Sequence, residues 1–197
     1  DRYAYNSQMK TAAAYAAGKI QRDLIPTAAR IPEMGWGIAT VDEPPRPTTT
    51  MEGLATLKTP FRPAGRVTPG NSSGLNDGAT AALLASEDKA KELGLKPLAY
   101  IKSYADAAQE PKWFTTAPAK ALPIALEKAG LKTSDIEFFE FNEAFSVVGL
   151  ANAKILGLEN DKVNVNGGAV SLGHPLGCSG ARIIVTLINV LEQNNAK

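Results

Sequence analysis

The sequence has one cysteine and one histidine in 197 residues. A single cysteine excludes an internal disulfide and any metal cluster built on thiolates. It fits a reducing compartment, and a cytoplasmic location is expected. A single histidine means that any imidazole chemistry in the chain falls to His174. Charge of one sign is also missing: 21 Lys and Arg stand against 20 Asp and Glu, a net charge of +1. That balance gives neither nucleic acid nor an anionic membrane a reason to bind. No apolar run approaches the ~20 residues of a membrane-spanning helix, and no signal or transit peptide is visible. The chain opens Asp1-Arg2-Tyr3 inside a helical pattern and closes Asn194-Asn195-Ala196-Lys197 directly after another, so an internal fragment is expected. The apolar fraction of 44% suffices for a substantial core, and the length suits one or two domains.

Proline is unevenly placed. Eight of the 13 prolines lie between residues 26 and 69, including Pro44, Pro45 and Pro47. Proline fixes φ and removes a donor, so long regular elements are not expected there. The stretch reads either as a flexible linker or as a lid or binding loop. Its apolar residues, Met34, Trp36, Ile38, Met51, Leu54, Leu57 and Phe61, argue against a solvated linker.

The flanking sequence is more regular. Alanine and long polar residues predict a helix over 2–17, closed by Gly18. Ala79–Leu84 reads as apolar. Ser86 opens a short helix that ends at Gly94. Pro97–Tyr104 reads as a strand. A helix over Ala119–Ala129 is capped by Gly130, with Pro123 kinking it or delaying its start. Ile136–Phe141 reads as a buried strand and Glu143–Leu156 as a helix ending at Gly157. Lys162–Asn166 reads as a short strand and Gly180–Leu191 as a strongly apolar helix. Alternating strands and helices predict a layered α/β fold.

Three runs carry the chemistry. Asn142-Glu143-Ala144-Phe145 stands where a strand becomes a helix, so Asn142 is either an amide donor facing a ligand crevice or a helix cap. His174 lies in the glycine-rich run Asn166–Gly180, which is open to three readings: a positioned imidazole, a phosphate cradle or an ordinary tight turn. The run matches neither a P-loop nor a dinucleotide fingerprint. Cys178, four residues later at a helix start, is either a nucleophile paired with His174 or a small packing residue. Thr68–Ala79, rich in hydroxyls, amides and glycine, is either a binding loop for an extended polar ligand or a plain connection.

Together these runs resemble the thiolase family. Asn142-Glu143-Ala144-Phe145 resembles its asparagine motif. Gly167–Val170, Gly173-His174-Pro175 and Gly180-Ala181-Arg182 resemble its histidine motif. Gly70–Ala79 resembles the start of its C-terminal half. The resemblance runs over essentially the whole chain and implies the layered αβαβα thiolase fold. Residues 1–70 would then end the inserted loop domain that lids coenzyme A, and 71–197 would be the C-terminal half, truncated before its last strands.

The resemblance also implies thiolysis of 3-oxoacyl-CoA or the reverse Claisen condensation of acetyl-CoA. His174 and Asn142 take the catalytic roles, stabilising the thioester oxyanion. Ser73 matches a pantetheine contact, and Arg46 a basic position near the nucleotide end of CoA. Phe61, Phe114, Ala144 and Phe145 match acyl- or pantetheine-pocket positions. CoA and acetyl-CoA are substrates, with no covalently held cofactor. A potassium site of some members maps to Tyr3, Pro69, Gly70, Ser72 and Val170, although Pro69 and Ser72 replace small alanines. The family's nucleophilic and acid–base cysteines match no residue here, so the fragment alone is expected to be inactive. A homodimer or homotetramer is implied. Short-chain acetyl-CoA C-acetyltransferase activity is the first reading. The alternatives are a 3-ketoacyl-CoA thiolase of fatty-acid degradation, a non-catalytic CoA- or lipid-binding relative, and a Cys178/His174 hydrolase.

Overall fold

The computed structural model describes residues 1–196, so Lys197, the last residue of the expected second segment, lies outside the described residues. Helix α1 (Arg2–Ala16) buries Ala4, Ser7, Gln8, Thr11 and Ala14, a stripe at helical spacing. The stripe is unusually polar, and the reason is what it meets: α1 lies on two later helices, α5 (Ser146–Leu156) and the single turn α6 (Ala169–Leu172), and Ser171 of α6 and the buried Glu143 give Ser7 and Thr11 polar partners.

The proline-rich stretch is not structureless. It contains an antiparallel hairpin, β1 (Thr27–Ile31) and β2 (Gly35–Ala39), in a register that sets Thr27 opposite Ala39 and Ile31 opposite Gly35. Pro26 and Pro32 flank β1 without interrupting it, so the ladder keeps its donors. Helix α2 (Met51–Ala55) is capped by Thr50, whose Oγ1 accepts from Gly53 N at 3.0 Å. It places Leu54 in a core cluster with Ala4 and Val170, so this part of the stretch is packed and not a free linker.

Three more helices follow their sequence signals. Helix α3 (Glu87–Glu92) starts from the Ser86 cap. Helix α4 (Pro118–Ala129) starts at a proline, which suits the first helical position, carries Pro123 inside, and ends at Gly130 with φ 69°. Helix α5 ends at Gly157 with φ 67°. It begins at Ser146, later than expected, because Glu143 is committed to a buried network. Helix α7 (Leu176–Asn194) begins at Leu176, earlier than the expected Gly180.

The expected strands are the main correction. Ile136–Phe141 and Lys162–Asn166 meet through one parallel bridge, Phe139 to Val163. Asn164 takes over beyond it: its Oδ1 accepts from Phe141 N at 2.8 Å and its Nδ2 donates to Phe141 O at 2.9 Å. A side-chain amide therefore replaces a ladder rung. Pro97–Tyr104 pairs with no strand among the described residues, and Ile101 and Tyr104 are largely exposed. Strand pairing is non-local, so an apolar run alone does not make a strand. Phe139 and Phe141 nevertheless anchor a core with Ala153 and Val163.

Candidate functional site

Backbone alternation sends Phe139 and Phe141 into this core and leaves Glu140 and Asn142 on cavity walls. Asn142 does not cap α5: Phe145 precedes that helix, and no side chain caps it. The amide is therefore free for the site. It lies on a cavity of about 530 Å³, whose walls include Phe114, Ala144, Val148, His174 and Ile183.

His174 reaches the same wall from the glycine-rich run. Gly173 has φ 89°, and a Cβ there would stand 2.1 Å from Asn76 Oδ1, so the turn demands glycine. The turn is tied at both sides: His174 N donates to Gly74 O at 3.3 Å, and Arg182 Nη1 donates to Gly173 O at 3.2 Å.

The ring is oriented by Ser179, in the first turn of α7. His174 Nδ1 lies 2.6 Å from Ser179 Oγ, and that hydroxyl donates to Pro175 O at 3.0 Å. With its one hydrogen on Pro175 O, the Ser179 hydroxyl accepts from Nδ1–H, the arrangement that satisfies both contacts. This network assigns the proton to Nδ1 and leaves the Nε2 lone pair open. Asn142 Nδ2 lies 3.3 Å from Nε2. An amide donor and an imidazole nitrogen thus converge at one point of the cavity. A thioester oxygen placed there would meet the Asn142 amide as a fixed donor, and Nε2–H as a second once the imidazole has taken a proton there.

Cys178 is not part of this arrangement. It is buried, and its Sγ lies 2.8 Å from Thr80 Oγ1, while the Nδ1 of His174 is taken by Ser179. The Cys178/His174 pair is thereby corrected: the cysteine packs.

Of the other expected residues, Ala144 and Phe114 line the cavity. Phe145 stacks edge-to-face on Phe114, ring centroids 6.4 Å apart. Ser73 is stapled beside them, since its N and Oγ both donate to Ala144 O, at 3.1 and 3.0 Å. Arg46 and Phe61 are exposed and lie outside the cavity walls. The backbone N of Arg46 donates to Gln8 Oε1 at 2.7 Å, which ties the proline-rich stretch to α1.

Glu143 is the residue whose role the sequence concealed. Its side chain is 1% exposed, and its carboxylate accepts from Tyr3 Oη (3.0 Å), Ser7 Oγ (2.7 Å), Asn164 Nδ2 (2.8 Å) and Val170 N (3.1 Å). One carboxylate joins α1, α6 and the Asn142 segment. Gly168 permits this closeness, because a Cβ there would stand 2.4 Å from the carboxylate carbon. Burial, then Glu143, pushes the Tyr3 phenol far above its ordinary range. Burial, then Glu143, also pushes the Glu140 carboxyl well above the usual carboxylate range, while Arg182 and Lys10 pull it back.

Tyr3 and Val170 of the potassium set meet at Glu143, and Ser72 Oγ donates to Thr68 O at 2.8 Å. Tyr3 donates a hydrogen bond from its hydroxyl to Glu143 and keeps its oxygen lone pairs. The Tyr3 oxygen beside a buried carboxylate is of the type a hard cation takes, whereas Val170 meets that carboxylate through its N–H. Among the described residues no cluster of His, Cys, Asp or Glu could hold a metal ion, and no helix is long and apolar enough to cross a membrane.

Two family models match the chain, "Thiolase, N-terminal domain" over residues 1–88 and "Thiolase, C-terminal domain" over 95–197. A curated relative, a probable acetyl-CoA acetyltransferase of Dictyostelium discoideum, is 48% identical over 201 residues, spanning 100% of this chain and 47% of its own. The solved acetyl-CoA acetyltransferase of Bacillus anthracis superposes with a TM-score of 0.94 at 43% identity, covering 100% of this chain and 50% of that one. The solved human mitochondrial 3-ketoacyl-CoA thiolase superposes at 0.91 and 38% identity, again over 100% and 50%. The chain thus spans about half the length of the relatives it matches.

Proposed function

The chain belongs to the thiolase family and has its layered αβαβα fold, and we propose that the complete protein is an acetyl-CoA C-acetyltransferase. It would cleave acetoacetyl-CoA with free CoA, or condense two acetyl-CoA in reverse. The observation that carries this reading is the 3.3 Å approach of Asn142 Nδ2 to His174 Nε2 on the cavity wall, with Nδ1 anchored by Ser179.

Removing a proton beside a thioester builds negative charge on its oxygen. Asn142 is assigned to hold that charge through its amide N–H, and His174 to activate the nucleophile at Nε2 and then, as imidazolium, to hold the charge through Nε2–H. Ser73, Ala144, Phe114 and Phe145 are assigned to the pantetheine and acyl ends of the substrate, which their place around the cavity supports. Arg46 and Phe61, exposed on the proline-rich stretch, are assigned to the lid over CoA. Residues 1–70 are read as the end of that lid domain and 71–197 as the C-terminal half. The chemistry needs two thiols, and Cys178 supplies neither, so the complete enzyme must bring them from outside these residues. Potassium is assigned to the oxygens of Tyr3, Pro69, Gly70, Ser72 and Val170. A homodimer or homotetramer, and a cytoplasmic location consistent with a single cysteine, complete the reading.

The complete protein should convert acetoacetyl-CoA and CoA to acetyl-CoA, and faster than a long-chain 3-oxoacyl-CoA. A preference for the long chain would favour a 3-ketoacyl-CoA thiolase. CoA binding without turnover, and without an acyl-enzyme on acid quench, would favour a non-catalytic CoA-binding relative.

A further inference from the structure

A second, small cavity of about 20 Å³ adjoins the substrate cavity, and Glu140, Phe141, Asn142 and Ile183 line both. Its remaining walls include Gly167, Gly168, Arg182 and Thr186. Its volume suits a single water, for which ~10–15 Å³ is needed. It is also polar enough to hold one. Glu140 Oε1 is sealed from solvent and has no hydrogen-bond partner among the described residues. A buried carboxyl oxygen left in that state is costly, and water is its usual partner. Arg182 stands on another wall and is felt electrostatically by Glu140, yet the two form no direct ion pair. The guanidinium has five N–H donors, of which Nη1 reaches Gly173 O, beside His174.

We propose that this cavity is a hydration site in which one water joins Glu140 Oε1 to the Arg182 guanidinium, making Glu140 a positioning residue for His174. The path is continuous: Glu140, the water, Arg182, the carbonyl of Gly173, then His174. It keeps the glycine-rich turn in place from behind, while Ser179 sets the ring from the front. Glu140 touches no reacting atom and acts through Arg182. A glutamine at 140 keeps an acceptor and a donor for the water, whereas a leucine of similar bulk keeps neither.

The kinetic arm of the test rests on the thiolase reading; the crystallographic arm does not. A crystal structure of the complete protein, at a resolution that orders water, should show one water within hydrogen-bond reach of both Glu140 Oε1 and Arg182, about 2.6–3.2 Å. A dry cavity, or a direct Glu140–Arg182 pair closing it, overturns the proposal whether or not the enzyme turns over. In acetoacetyl-CoA thiolysis, Glu140→Leu should lower kcat ~10-fold, the size of one lost hydrogen bond to a charged group, with KM for CoA within ~2-fold. Glu140→Gln should recover kcat to within ~3-fold of the wild type. Equal losses in both variants, or a loss confined to KM, overturn the proposal. If Glu140→Leu does not fold, the Gln variant and the water in the wild-type crystal still decide it.

Discussion

Ser179 Oγ lies 2.6 Å from His174 Nδ1 and donates onward to Pro175 O, so the ring proton sits on Nδ1 and Nε2 faces Asn142. One serine in the first turn of α7 thereby decides which nitrogen of the only imidazole is available for chemistry. Ser179→Ala removes the acceptor with little change in volume and leaves Nδ1–H without its partner. It should lower kcat for thiolysis ~10-fold, about 1.4 kcal/mol, in line with one hydrogen bond. Steady-state kinetics beside a melting curve check this. A variant with unchanged kcat would mean that the ring is set by its other contacts alone.

Glu143 carries more of the fold. Four donors from α1, α6 and the Asn164 segment end on its carboxylate. Glu143→Ala leaves them buried and unpaired, at a cost of about 3–5 kcal/mol. Glu143→Gln should cost less, since one amide oxygen can still accept. Urea unfolding of the three proteins measures the order. A near-neutral Glu143→Ala would show that water replaces the carboxylate.

Gly168→Ala tests the same junction from the other side. The added Cβ would fall 2.4 Å from the Glu143 carboxylate carbon, and that side chain is held by four bonds and cannot swing away. A loss of about 1–3 kcal/mol is expected, as for other overpacked sites. The urea midpoint reports it, and an unchanged midpoint would show that the junction is looser than the geometry requires.

The pH dependence of stability follows from Glu140. Burial first, then Glu143, and more weakly Asp23, raise its carboxyl, against Arg182 and Lys10. The folded chain therefore keeps a proton that the unfolded chain loses near pH 4. Stability tied to that proton is fully present below the unfolded value and is lost as pH rises through the folded one. Glu140→Gln cannot lose the proton, so its stability should fall less than the wild type's between about pH 5 and pH 8. Urea titrations at the two pH values measure this. Parallel declines would mean that other groups set the slope.

The helices were legible because their signals are local. The alanine-rich run gave α1, and Gly130 and Gly157 adopt the positive φ expected of C-terminal caps. The strands were less so, because pairing depends on distant partners: Ile136–Phe141 gains one bridge, and Asn164 supplies the next bonds through its side chain. The hairpin over residues 27–39 was hidden by prolines that turn out to flank it. At the site, His174 could be read as the sole imidazole, and Asn142 as an amide at a strand end. That Asn142 is not a cap, that Ser179 fixes the tautomer, and that Glu143 ties three segments together are long-range facts no local pattern carries. Cys178 shows the converse: a suggestive spacing from His174 ends in a contact with Thr80.

The central claim is that Asn142 and His174 act as one unit on the thioester oxygen. A double-mutant cycle on kcat for acetoacetyl-CoA thiolysis tests it most directly, using Asn142→Ala, His174→Ala and the pair in the complete enzyme. Each single change should cost ~10²–10³-fold, and the double should cost little more than the worse single, because groups that act together are non-additive. Fully additive losses, or near-normal turnover by His174→Ala, would contradict the account.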